Sequence, residues 1–265
     1  MLKIENLNKT FGKGTVNEKK VIDDLSLTVN DGDFITIIGS NGAGKSTLLN
    51  LISGTLLPDS GHIVLDENEI TFKSENARAR QIGRVFQDPM MGTAADMWIE
   101  ENLALAYRRT KRRTLKWGIR KSEREIYKNA LSQLGLGLEE RLNSRVGLLS
   151  GGQRQAVTLL MATLQKPKVL LLDEHTAALD PKTADTVLKL SDKIINEHNL
   201  TSLMVTHNMQ NAIDYGNRLI MMHSGKIIMD IAGEEKKQLT VKTLLEKFEQ
   251  ISGSEFANDR ALLSN

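Results

Sequence analysis

Leu2 and Ile4 alternate with polar neighbours at the start of the chain, and Leu25, Leu27 and Val29 repeat the alternation further on. A period of two predicts half-buried strands, with GKGTVNEKK between them as a loop. FITIIG, residues 34–39, is a short β-rich run followed by a glycine-rich turn and the apolar LLNLI, which gives strand, loop and helix in succession. Val169–Leu172 and Leu203–Val205 are short apolar runs separated by a polar, helix-compatible stretch from Pro181 to His198. That arrangement suits buried parallel strands joined by a crossover helix. Leu219–Met222 and Ile227–Met229 flank Ser224-Gly225, a hairpin signal. From Pro89 to Lys166 helix formers dominate, which predicts a separate helical lobe. Behind Thr240, the residues Val241, Leu244, Leu245 and Phe248 recur at i, i+3, i+4 and i+7, so one amphipathic helix is expected there. The tail after Gly253 is expected to be mobile. The pattern as a whole is α/β, with no internal repeat and no low-complexity tract.

Composition narrows the function classes. A chain of 265 residues corresponds to one or two domains, and 40% hydrophobic with 26% charged residues is a globular rather than a disordered composition. Because cysteine is absent, a disulfide framework, a Cys-ligated zinc and an iron–sulfur cluster held by this chain are excluded. No apolar run approaches the roughly 18 residues that cross a bilayer. MLKIENLNKT also lacks the continuous apolar stretch of a secretory signal, so a cytoplasmic location is expected. The net charge of +2 conceals an asymmetry: Arg108 to Arg124 holds nine Lys or Arg against one Glu, and the remainder is net acidic.

Three stretches carry chemistry. Gly39-Ser40-Asn41-Gly42-Ala43-Gly44-Lys45-Ser46 fits G-x-x-x-x-G-K-[ST] and stands after a predicted strand and before a predicted helix. Its glycines let backbone N–H groups face phosphates, Lys45 reaches the β- and γ-phosphates, and Ser46 can ligate Mg²⁺; Thr47 is grouped with them as nucleotide-binding. Val169-Leu170-Leu171-Leu172-Asp173-Glu174 is an apolar strand ending in two acids. Asp173 would serve the metal, and Glu174 would polarise a water at the γ-phosphate. Acids also favour helix N-termini, so alone this pair reads equally well as a cap; the phosphate loop decides for chemistry. Leu149-Ser150-Gly151-Gly152-Gln153 precedes apolar residues spaced four apart. It reads as a Ser-capped helix start and a second anion site or, by itself, as an ordinary cap.

LSGGQ, with Ser150 placed 23 residues before Asp173, resembles the signature motif of the ATP-binding cassette (ABC) ATPases. Further matches follow in family order. Gln87 in VFQDP resembles the Q-loop, Ala178-Leu179-Asp180 the D-loop, His207 in MVTHN the switch histidine, and Phe11 the aromatic residue that stacks on adenine. Taken singly, Gln87 or His207 would be a satisfied polar residue at a strand end, and Phe11 a core aromatic. The family usually has Pro after the catalytic Glu, whereas His175 stands there in this chain. The resemblance spans about residues 2–230. It implies an α/β P-loop NTPase with a RecA-like core, an antiparallel β subdomain and an inserted α-helical subdomain. The cassette would cover 1–233 with the helical subdomain at about 89–166, and a C-terminal helix and tail would occupy 234–265.

The resemblance also implies a mechanism. Two cassettes pack head to tail, so that each ATP lies between the phosphate loop of one copy and Ser150, Gly151, Gly152 and Gln153 of the other; Asp180 is grouped with these. One set of motifs implies a homodimer. Glu174, His207, Lys45 and Gln87 are the expected catalytic group, and Ser46, Gln87 and Asp173 the expected Mg²⁺ ligands. Transport would need separate transmembrane permease subunits, with an extracytoplasmic substrate-binding protein acting through them, and would hold the chain at the inner face of the membrane. DPMMGTAADMWIEENLALAYRR and the following KRRTLKWGIRK resemble an importer subfamily tied to amino-acid uptake, sometimes of tryptophan. The basic segment could touch anionic lipid or acidic permease loops, or be a solvated hairpin. No nucleic-acid partner is expected. The competing reading is a soluble ABC ATPase of an assembly system, such as iron–sulfur cluster assembly.

Overall fold

The computed structural model describes residues 1–110 and 118–252. In order, the elements are β1 (Leu2–Phe11), β2 (Lys19–Val29), β3 (Phe34–Gly39), α1 (Lys45–Ser53), β4 (Ser60–Leu65), β5 (Asn68–Glu69), α2 (Glu75–Arg78), β6 (Ile82–Val85), α3 (Ile99–Tyr107), α4 (Lys121–Ser132), α5 (Gly151–Thr163), β7 (Val169–Asp173), α6 (Pro181–His198), β8 (Ser202–Val205), α7 (Met209–Asp214), β9 (Arg218–His223), β10 (Lys226–Ala232), α8 (Gly233–Lys237) and α9 (Val241–Ser252). They divide into two compact units, one formed by Met1–Arg78 with the chain from Thr201 onward, the other by Ala79–Leu200.

In the first unit, an antiparallel sheet runs in the order β2-β1-β4-β5. Its inward residues explain its irregularities. Leu2, Ile4 and Leu7 are all buried, a spacing that strict alternation cannot give, so β1 carries a bulge between Ile4 and Leu7 with Asn6 at φ 49°. On β2 the step from Ile22 to Leu25 is accommodated in the same way, with Asp24 at φ 51°. Asn and Asp tolerate the left-handed region best among non-glycine residues, and Asn6 Nδ2 donates to Asp24 Oδ1 at 3.0 Å. The other sheet of this unit orders β10-β9-β3-β8, with β3 parallel to both neighbours. All six residues of β3 are buried, as a strand covered on both faces requires. Ser224 (φ 47°) and Gly225 (φ 79°) turn β9 into antiparallel β10 with the two positive φ angles of a tight hairpin. Leu244 and Phe248 of α9 close one core cluster with Ile38, Leu219, Met221, Met229 and Ile231.

The second unit pairs β6 with β7 in parallel and packs α3, α4, α5 and α6 with them. Tyr127 of α4 is fully buried and meets Tyr107 edge-on, ring centroids 5.9 Å apart. After β6, Asn102 of α3 organises the following segment: its Oδ1 accepts from Ala94 N at 2.8 Å, and its Nδ2 donates to Ala94 O at 3.1 Å and Trp98 O at 3.0 Å. Helix α6 begins with an Asp180 cap and Pro181 and ends at Asn199 in the left-handed region. Among the described residues no helix is long and apolar enough to cross a membrane.

Candidate nucleotide-binding site

In the first unit, β3 leads directly into the phosphate loop. Gly44, the residue preceding α1, sits at φ 101°, and a Cβ there would lie 2.7 Å from Val21 O, so both dihedral and space require glycine. Helix α1 starts without a side-chain cap. Its first-turn N–H groups have no intrahelical acceptors, which with the helix dipole suits an anion. Lys45 is buried, and its Nζ donates to Gly39 O at 2.7 Å and Ser40 O at 3.0 Å, holding the ammonium inside the loop. Asn41, Gly42 and Ser46 are exposed, and Ala43 packs inward.

Three further groups belong to this unit. Phe11, at the end of β1, is 39% exposed and so is not a core aromatic. Its cross-strand partner is Lys19. A Cβ built on Gly42 would lie 3.6 Å from Lys19 Nζ, which puts an ammonium at the mouth of the loop. Lys19 belongs to no motif; only strand register, which sets residues of an antiparallel pair side by side, marks it in the sequence. His207 follows β8. Ile37 and Val205 are register partners on parallel strands, and Gly39 and His207 each come two residues later, so both emerge at the carboxyl edge, where ligands of such sheets bind. Thr206 N donates to Ile37 O at 3.1 Å, and Asn208 caps α7 by accepting from Asn211 N at 2.9 Å, which fixes the segment on both sides of His207.

The second unit repeats the arrangement. Val85 and Leu172 are register partners, so Gln87 and Glu174 each stand two residues beyond them at one edge. Phe86 O accepts from Nε2 of the fully buried Gln155 at 3.1 Å. Asp173 is buried and accepts from Arg84 Nη2 at 3.0 Å, while the Arg84 guanidinium lies 4.6 Å from the Phe86 ring centroid. Arg84 was not anticipated from sequence. Glu174 has φ 46°, and its carbonyl accepts from Ala177 N at 2.9 Å. His175 points inward to Ser191 Oγ, 2.9 Å from its Nε2, and burial pushes the imidazole pKa down to about 4.

The signature stretch is a capping box: Gln153 N donates to Ser150 Oγ at 3.3 Å, and Ser150 N donates to Gln153 Oε1 at 3.2 Å. A Cβ on Gly152 would lie 2.1 Å from Thr183 Cγ2, and one on Gly151 would lie 3.2 Å from Leu179 Cδ2. The glycines therefore let α5 start against the first turn of α6. Asp180 caps that turn through Thr183 N at 3.1 Å, and the hydrogen bonds from Thr183 hold its carboxyl below the usual range. Gly151 and Gly152 thus lie beside the turn that Asp180 caps. In the basic stretch, Arg124 is bidentate on buried Glu100 at 2.7 and 2.9 Å, and Arg108 pairs with Glu123 at 2.7 Å. Lys111, Arg112, Arg113 and Trp117 lie outside the described residues, as does the tail after Gly253.

A family model described as ABC transporter matches residues 22–177. The chain belongs to the ABC transporter family. It is an ATP-binding cassette, an ATPase that drives transport. A tyrosine transport ATP-binding protein of Clostridioides difficile is 49% identical to the cassette over 249 residues, covering 94% of this chain and 99% of the relative. A methionine import ATP-binding protein of Streptococcus agalactiae is 32% identical, covering 91% of this chain and 68% of the relative. The dimeric post-hydrolysis state of an ATP-binding cassette bound to ADP and Pi superposes with a TM-score of 0.74 at 28% identity, over 88% of this chain and 98% of that one.

Proposed function

We propose that this cassette powers import of an amino acid, an aromatic one by preference, through separate permease subunits. The observation that carries the reading is the tyrosine transport relative, which matches nearly end to end; the methionine import relative supports the direction. The cassette would work at the inner face of the membrane, with an extracytoplasmic binding protein delivering the solute to the permease.

In this reading the phosphate loop, from Gly39 to Thr47, binds the triphosphate, and Lys45 turns from the loop carbonyls to the β- and γ-phosphates. Phe11 stacks on adenine, and Lys19 adds a positive charge at the loop mouth. Glu174 orients or deprotonates the attacking water, and His207 contacts the γ-phosphate. Ser46, Gln87 and Asp173 are the proposed Mg²⁺ ligands. A hydroxyl, an amide and one buried carboxylate fit that ion, which takes oxygen donors and keeps water and phosphate oxygens in its shell. Bound there, Mg²⁺ neutralises charge on the phosphate oxygens. Ser150, Gly151, Gly152, Gln153 and Asp180 of a second copy complete each site in a homodimer.

Uptake of labelled tyrosine is the test, in cells lacking the chain and complemented with either the parent or Glu174→Gln. The parent is expected to restore uptake; Glu174→Gln is expected to bind ATP and restore none. Undiminished tyrosine uptake without the chain would overturn the solute assignment, and full activity of Glu174→Gln would overturn the catalytic one.

A further inference from the structure

A non-glycine residue at φ 46° is strained and persists where its surroundings hold it; Glu174 is such a residue. The bond from Ala177 N to Glu174 O makes His175 and Thr176 the central residues of a β-turn. His175 is 2% exposed and Ser191, on α6, 1%. Ser191 Oγ donates its one proton to Val187 O at 2.8 Å, so towards His175 Nε2, 2.9 Å away, the hydroxyl can only accept. His175 is therefore the donor, and a directed chain runs from the turn through Ser191 to the backbone of α6.

We infer that His175 and Ser191 are positioning residues that hold Glu174 in its strained conformation and thereby aim its carboxylate. The inference rests on the reading of Glu174 as the group acting on the attacking water. The first central position of such a turn favours proline, whose φ is preset. Histidine has no such constraint, and here a buried side-chain tether supplies the order. Asp173, on the other side of Glu174, is fixed as the last residue of β7. Both chain neighbours of the strained residue are thus anchored, one by the strand and one by the tether. Misdirection of a reacting group by about 1 Å is enough to slow turnover strongly while leaving ATP affinity intact.

The test measures kcat per titrated ATP site, so that unfolded protein does not count, together with KM for ATP. Ser191→Ala and His175→Ala are each expected to lower kcat roughly tenfold with KM within about twofold of the parent, and the double variant is expected to lose no more than either alone. His175→Pro, with φ preset, is expected to retain more turnover than His175→Ala. Parental kcat in Ser191→Ala, losses that multiply in the double variant, or losses carried by KM would each overturn the tether. Glu174→Gln assayed alongside separates the two claims: if it turned over at the parental rate, the reading of Glu174 itself would fail, whatever Ser191 does.

Discussion

At Lys19 a formal positive charge stands beside the phosphate loop with no carboxylate partner among the described residues, whereas neighbouring Lys20 is paired with Asp23. Lys19→Gln should therefore raise the Kd for ATP roughly fivefold, about 1 kcal/mol for one exposed charge-assisted contact, and Lys20→Gln should leave it unchanged; fluorescence titration of a nucleotide analogue reads both. Lys236 behaves differently. It is buried, with its Nζ donating to Tyr215 O and to Gly216 O, and burial lowers its pKa from 10.5 to about 8. Between those values the unfolded chain holds a proton that the folded chain has shed, so the group's contribution to stability is complete above pH 10.5 and is lost as the pH falls to about 8. Urea unfolding across that range should show stability rising with pH, and Lys236→Met should flatten the rise. The phosphate-loop lysine was legible because a fixed motif marks it, while Lys19 and Arg84 were not. Each takes its meaning from a partner remote in sequence, Gly42 for one and Asp173 for the other.

At the scale of elements, the strands read most easily were those with unbroken apolar runs, β3 and β7, and the β9–β10 hairpin with its Ser-Gly turn. Besides the two-residue β5, too short to leave any pattern, the strands missed were β4 and β6. Gly61 and His62 interrupt the first, and Gly83 and Arg84 the second, so neither shows a run or an alternation long enough to stand out. The bulges of β1 and β2 were hidden for a related reason: Leu7 and Ile22 fall out of phase with strict alternation until an extra residue is inserted. Helix α1 ends at Gly54, at φ 83°, and a residue far along the chain satisfies its last carbonyls. Arg78 is buried and donates to Leu51 O at 2.6 Å, Ile52 O at 2.9 Å, Thr71 O at 2.6 Å and Lys73 O at 3.0 Å, placing a cation at the helix C-terminus. Arg78→Met leaves those carbonyls without their donor and should cost about 3 kcal/mol, read as a lower urea midpoint at unchanged slope.

Across the whole molecule, each compact unit delivers its motifs at the carboxyl ends of parallel strands: the phosphate loop and His207 in one, Gln87, Asp173 and Glu174 in the other. The order of motifs was legible in the sequence because chemistry fixes their residues and spacing. What the basic stretch from Arg108 to Arg124 does was not, since a run of charge looks the same whether it is solvated or docked. Of its described arginines, Arg108 and Arg124 are committed to Glu123 and Glu100. One chain carries one signature and one phosphate loop, and a solved relative is a dimer with ADP and Pi. Nucleotide is therefore expected to join two copies. Light scattering on Glu174→Gln at high concentration measures this directly. With MgATP the mass should double from the 29.5 kDa of one chain and should return to that value when ATP is removed. A mass that stays at one chain while ATP is demonstrably bound would contradict the account.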